Sequence, residues 1–306
     1  MKYPRKLFSV LRRAAKEFLS DNGMKLSASL SYYTLFSIGP FLVIIISFAG
    51  IFFGQDAVRG SLYRQLQGMV GHDAAVQVQN IIANVQQTDG GVMGAIVGIA
   101  ILMLGATGVF NEIQSSINFI WSIRAKPNKG WLKLLRNRLI SFSLVISCGF
   151  ILLVSLVISA LMDVLSDRLL LYFPNATVVL VKIFNYVLLF LVTGLLFAVI
   201  FKVLPDASIR WKDIFFGAAF TALLFMIGKF LIGFYLGNSH VRSTYGTAAS
   251  LIILLLWVYY SSIILYFGAE FTKVYAIQNG AGIRPRKTAV FIVKQEVKEV
   301  ESKDRL

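Results

Sequence analysis

Apolar residues in this chain gather into long unbroken blocks instead of alternating or recurring on one face. The most complete block runs from Ala248 to Gly268, inside the stretch STYGTAASLIILLLWVYYSSIILYFGAE that ends at Glu270. It holds 21 consecutive uncharged residues, and a helix of about 20 apolar residues crosses a bilayer. No core helix of a water-soluble domain needs such a run. Five more blocks follow the same logic, at about 28–53, 92–121, 139–162, 178–204 and 214–236. The pattern predicts an all-α polytopic membrane protein, a six-transmembrane-helix bundle within residues 26–280. A segment 1–25 precedes it, and a charged tail, 281–306, follows and reads as disordered.

Between the blocks the pattern changes to helical stripes. Leu7, Leu11, Ala14 and Phe18 recur on one face of a basic N-terminal segment, which reads as an amphipathic helix on an anionic inner leaflet. It lacks the short apolar region and cleavage site of a signal peptide. In the polar stretch 54–90, Val58, Leu62, Leu66 and Met69 form one stripe and Ala75, Val78, Ile82 and Val85 another. These predict two short surface helices that either cover the outer mouth of the bundle or lie on the lipid. Gly39-Pro40 predicts a kink in the first span. The second span would be about 45 Å long, so it tilts or protrudes.

Composition agrees with the block pattern: 57% of the 306 residues are hydrophobic, 15% are charged, and mean hydropathy is +0.72. The net charge of +15 raises the question of nucleic acid, and the placement of the charges answers it. Twenty-four Lys and Arg fall in the termini and the loops after the second and fourth spans, against four in the alternate loops. This asymmetry is the positive-inside pattern, with both termini in the cytoplasm and an even number of spans. The surplus therefore calls for anionic lipid at the cytoplasmic face rather than nucleic acid. The single cysteine, Cys148, excludes an intrachain disulfide.

Within the spans a few residues carry polar chemistry. Glu112 and Glu270 are acids near the inner ends of the second and sixth spans, where an acid at membrane depth is costly and marks a functional candidate. The plainer alternative for each is a headgroup contact or a pair with a nearby Lys or Arg. Lys229 lies inside the fifth span and either serves function or snorkels outward. Thr107, Asn111, Gln114 and Asn118 line one face of the second span, and Ser27, Ser31 and Thr34 line one face of the first. Together they either border a cleft open to the cytoplasm or only hydrogen-bond helix to helix. His72 and His240 lie in separate loops, and neither HExxH nor CxxC spacing occurs, so no metal site is expected. No Walker A, GxSxG or dinucleotide fingerprint points to an enzyme or a cofactor.

Three motifs in order resemble the YihY/BrkB family of bacterial inner-membrane proteins. They are Ser31 to Pro40 (SYYTLFSIGP), the Leu204-Pro205 turn followed by Trp211, and the sixth-span set Tyr245-Gly246, Ala249, Leu254 to Trp257, Tyr259, Ser261 and Gly268-Ala269-Glu270. The resemblance covers about residues 5–280. It implies six spans in the inner membrane, virulence or serum-resistance associations in some members, and no settled activity. Some members carry the label ribonuclease BN. A nuclease would present metal ligands or an acid/base pair to RNA, and the cytoplasmic parts expected here are short basic loops without His. The expectation is a transporter or translocator of lipid-like envelope molecules. In it Glu112 and Glu270 bind a cationic group or a proton, while the polar stripe guides a head group. The alternative is a structural partner protein of the envelope with no pathway. A homo-oligomer is compatible with either.

Overall fold

The computed structural model of the protein describes residues 3–37, 60, 63, 76, 79, 108–126, 174–238 and 249–293. Two helices open the chain, α1 (Tyr3–Ser20) and α2, described over 23–37. Next come α3, described over 108–120, and strand β1 (Ile123–Ala125). Then follow α4 (Pro174–Val203), β2 (Ala207–Ser208), α5 (Trp211–Asn238), α6 (Ala249–Asn279), β3 (Arg284–Pro285) and β4 (Ala289–Phe291).

The described residues are mostly helical, and three of the helices are long and apolar enough to cross a membrane. These are Ile183–Val203, Trp211–Ile232 and Ile252–Asn279, of 21, 22 and 28 residues. They coincide with the fourth, fifth and sixth blocks expected from sequence. Of the first block only the beginning is described, in α2, and of the second only the end, in α3. The third block, the Gly39-Pro40 kink and nearly all of 54–90 lie outside the described residues; 60, 63, 76 and 79 are helical.

Helices α5 and α6 pack antiparallel through a reciprocal zipper of small residues. Gly217 of α5 lies under Thr272 of α6, and Gly268 of α6 lies under Thr221 of α5. Each threonine hydroxyl donates to the carbonyl of the glycine one turn earlier on its own helix, Thr221 to Gly217 and Thr272 to Gly268, both at 2.7 Å. The hydroxyls thus need no partner across the interface, and the bare glycines let the backbones approach. Farther along, Gly228 receives the Tyr260 ring and Ile264. Helix α4 also packs on α5, where Phe197 meets Phe225 edge to face.

At one end of these helices the connections are tied into two short antiparallel ribbons. β1 pairs with β4, Arg124 opposite Val290, and β2 pairs with β3, Ala207 opposite Pro285. Arg286 clamps the second ribbon. Its side chain donates to the carbonyls of Ala207 and Lys202, and its backbone N–H to that of Asp206. The expectation of a disordered tail from 281 therefore fails for residues 284–291, which pair with loops far back in the chain; residues 294–306 lie outside the described part. The all-α expectation likewise missed these ribbons, because strands of two or three residues are too short to show a period. Arg124, Lys126, Arg210, Lys212, Arg284 and Lys287 surround the ribbons, all exposed, so this is the basic end of the molecule.

The N-terminal helix reaches the same end. Its buried stripe is Val10, Ala14 and Phe18; Val10 and Ala14 pack with Phe271 and Val274 of α6, and the Phe18 ring meets Phe267 edge to face at 5.8 Å. The face expected to lie on lipid is thus partly a protein contact: Ala14 and Phe18 are buried, while Leu7 is exposed. A second arc carries Phe8, Ala15 and Leu19, all exposed, beside exposed Arg12 and Lys16. The turn into α2 uses Asn22 at φ 56°, a left-handed conformation that Asn tolerates. Gly23 comes next because a side chain there would enter the Phe18 ring.

Candidate functional site

Lys273 stands where α1, α3 and α6 meet. Its stem comes from α6, one turn beyond the apolar block. The ammonium Nζ donates to the carbonyl oxygen of Ile120, at the end of α3, at 2.8 Å. It lies 2.8 Å from Glu17 Oε2 of α1, 2.8 Å from Glu270 Oε2 of its own helix and 3.7 Å from Asp21 Oδ2 of the α1–α2 turn. Glu17 also accepts from Arg13 Nε at 2.7 Å. One turn earlier on α6, Trp121, just after α3, donates its indole N–H to the carbonyl of Ala269 at 3.0 Å. Three carboxyl groups, two cations and two backbone carbonyls thus form one hub.

Burial divides the three acids. The Glu17 side chain is 25% exposed and that of Asp21 9%. Glu270 is 0% exposed. Its Oε2 lies 2.8 Å from the Lys273 ammonium, so the buried carboxyl is held in an ion pair. Burial works to raise the Glu17 carboxyl, but the hydrogen bonds from Lys273 and Arg13 and their charges outweigh it, holding Glu17 below the usual carboxylate range.

Glu112 lies on α3, which runs parallel to α6: Ser116 is opposite Tyr266, and Ile120 opposite Lys273. Its carboxyl accepts from Ser116 Oγ at 3.4 Å, and both residues adjoin the fully buried Tyr266. Glu112 and Glu270 therefore belong to one α3–α6 contact, with Tyr266 on the helix turn before Glu270.

The polar stripe has a different position. Gln114 and Asn118 both donate to Asp206 Oδ2, at 3.3 and 3.0 Å, and Asn118 Oδ1 accepts the Asp206 backbone N–H at 2.8 Å. These two residues hold the Leu204-Pro205-Asp206 turn. Asn111 is exposed, and Thr107 lies outside the described residues. Ser31 and Thr34 donate to Ser27 and Leu30 carbonyls one turn back on their own helix, at 2.8 Å each. The stripes and the two acids are thus not brought to a common wall. Lys229 is partly buried on α5. Among the described residues no group of three His, Cys, Asp or Glu is placed to hold a metal ion.

Sequence reasoning missed Lys273, Glu17, Asp21, Tyr266 and Asp206. The i, i+3 pair Glu270 and Lys273 at the end of an apolar block was the available signal for the hub. A lysine three residues after a membrane-depth acid is its nearest partner on the same helix face. Glu17 and Asp21 sit in a segment whose basic residues outnumber them, and nothing in the sequence pairs them with α6.

Apolar spanning helices, joined by glycine contacts and fastened at a basic end by buried ion pairs, define a helical integral membrane protein. The chain belongs to the BrkB family: the family model described as Virulence factor BrkB matches residues 14–292. The match passes the boundary expected at 280 and takes in both ribbons. The chain is 27% identical over 294 residues to a UPF0761 membrane protein of Saccharophagus degradans, covering 95% of this chain and 65% of that one. A UPF0761 membrane protein of Verminephrobacter eiseniae is 26% identical, with 89% and 63% covered. One of Pseudoalteromonas atlantica is 26% identical, with 83% and 81% covered. The chain thus spans somewhat less than two thirds of the first two relatives. No solved structure matches it.

Proposed function

We propose that this protein is a six-span inner-membrane translocator of lipid-like envelope molecules and not an enzyme, with both termini in the cytoplasm. The observation that carries the reading is Glu270, fully buried just after an apolar block and 2.8 Å from the Lys273 ammonium. A charge-bearing group is costly in that setting and is kept where it serves a function. Glu112 belongs to the same helix contact. The outward arc of α1, with Phe8, Ala15 and Leu19 beside Arg12 and Lys16, suits an anionic leaflet: the apolar arc enters the acyl boundary and the cations meet head groups. The test uses vesicles reconstituted with the full chain and fluorescent headgroup-labelled phospholipids. Leaflet exchange faster than in protein-free vesicles, and lost in Glu112→Gln/Glu270→Gln, supports the reading. Exchange equal in wild type and variant rejects the role of the two acids.

A second reading is a non-transporting structural protein of the envelope. It is favoured by the internal use of the stripes, since Gln114 and Asn118 hold Asp206 and Ser31 and Thr34 bond their own helix. Exchange no faster than in protein-free vesicles, for every lipid probe, favours it.

A further inference from the structure

The turn between α4 and α5 gathers cations that no acid balances. Lys202, in the last turn of α4, donates its ammonium N–H to the Ile209 carbonyl at 2.6 Å and lies 5.0 Å from the centre of the Trp211 ring. Arg286 reaches the same turn from the β3–β4 connection and donates to the carbonyls of Lys202 and Ala207, at 3.0 and 3.1 Å. Both side chains are thus fixed by neutral backbone oxygens, which leave their charge uncompensated. Among the described residues neither makes an ion pair, nor do Arg210 and Lys212 beside them. The two acids nearby are used elsewhere: Asp206 holds Gln114 and Asn118, and Asp213 is buried against Gly280. A guanidinium has five N–H donors and an ammonium three, so Arg286 and Lys202 keep donors for an anion.

We infer that this turn binds the phosphate of an anionic phospholipid, held by Lys202 and Arg286, with Trp211 at the head group and the acyl chains along Phe215. Trp211 and Phe215 stack at 5.5 Å and are both exposed. Leu223 and Phe230 extend the exposed apolar surface along α5, one of the helices able to span a membrane. An indole at the end of a span sits at headgroup level, and basic pockets between spanning helices hold acidic head groups. The apolar surface beside the cations is what favours a lipid over phosphate from water. Arg210 and Lys212 favour an anionic lipid over a zwitterionic one, whose own cation they repel. The inference goes beyond the translocator reading and does not rest on it, since Glu112 and Glu270 are not among the residues of the site.

The test is native mass spectrometry of the full chain, purified in mild detergent and offered phosphatidylglycerol or phosphatidylcholine with the same acyl chains. Phosphatidylglycerol should be retained in preference, and Lys202→Gln/Arg286→Gln should weaken its binding about tenfold or more, as expected for losing two charged hydrogen-bond donors. Arg124→Gln/Lys287→Gln removes the same charge from the other ribbon and its flank and should change binding far less. Equal losses in the two double variants, or no preference in wild type, overturn the inference. Arg286 also clamps a ribbon, so a second measurement leaves it in place: quenching of tryptophan fluorescence by brominated lipids in vesicles holding the full chain. Brominated phosphatidylglycerol should quench more than brominated phosphatidylcholine, and Trp211→Leu should remove the difference. A difference that survives Trp211→Leu overturns the site. A difference erased by inorganic phosphate, but not by sodium chloride of equal ionic strength, overturns the choice of lipid over free phosphate.

Discussion

Replacing Lys273 by methionine tests the hub most directly, because methionine keeps much of the stem and removes only the charge. Two carboxylate oxygens lie 2.8 Å from the ammonium and a third at 3.7 Å. At an effective dielectric of about 20, each of the shorter contacts has a gross attraction of about 6 kcal/mol. Desolvation offsets much of that, at several kcal/mol per buried ion. The relevant quantity is the cost of removing one partner and leaving the others in place, about 3–5 kcal/mol for a buried pair. The lost bond to the Ile120 carbonyl falls within that figure. Unfolding of the purified protein in mild detergent, followed by tryptophan fluorescence, should show Lys273→Met less stable by that amount and Lys273→Arg much closer to wild type. The deficit should shrink as pH falls, since protonating the carboxylates removes both their repulsion and the buried charge. Asp21→Asn should destabilise the wild type but partly rescue Lys273→Met, where the ammonium 3.7 Å from Asp21 is gone. A Lys273→Met protein within about 0.5 kcal/mol of wild type, the range of ordinary surface substitutions, would refute this account. So would an Asp21→Asn effect equal in both backgrounds.

Three other expectations follow from the same structure. Gly217→Ala places a methyl against Thr272 and should cost about 1–3 kcal/mol as overpacking, with Thr272→Ala relieving it; thermal unfolding of the single and double variants decides. Asp206→Ala removes the acceptor of Gln114 and Asn118 and leaves a buried amide unpaired, for a loss of about 1–3 kcal/mol and faster hydrogen exchange at the Ala207–Ser208 ribbon. Glu17 is held below the ordinary carboxylate range, so its stabilisation is complete above that range and lost as pH falls through the lowered value. Hydrogen exchange of α1 should therefore speed up in acid, and Glu17→Gln should flatten that dependence while raising exchange at neutral pH.

The elements legible in the sequence were those whose signal is local and long. The blocks at 178–204, 214–236 and around 248–268 are helices because runs of that length leave the backbone no other way to satisfy its hydrogen bonds in lipid. The acids Glu112 and Glu270 were legible as anomalies for the same reason. What stayed hidden depends on contacts between distant segments. Asp206 looked like part of a helix stop, yet it is where Gln114 and Asn118 end. The period of the polar stripe on α3 left two meanings open, since period reveals a shared face and not what that face touches. Arg286 looked like one more cytoplasmic cation, and it is the clamp of a ribbon. Even on α1 the expected face was off by part of a turn, because Val10 and Leu7 both suit an apolar contact and only α6 decides between them.

The division of labour along the helices has a physical cause. Lipid tails are as apolar as the side chains they contact, so burial alone gives spanning helices little reason to associate. Close approach and polar contacts supply the specificity instead, and α6 makes them with different partners, α5 for the first and α1 for the second. Along the apolar length of α5 and α6 the contact is Gly217 with Thr272 and Gly268 with Thr221, where each hydroxyl is already satisfied by its own helix. At the basic end, where water can reach a partly exposed Glu17, ions become affordable and Lys273 joins three segments at one atom. Glu270 lies between the two zipper residues Gly268 and Thr272 along α6, with its carboxyl 2.8 Å from Lys273. It is the one acid of α6, and its contact with the same ammonium that Glu17 meets ties it to the hold between α1 and α6.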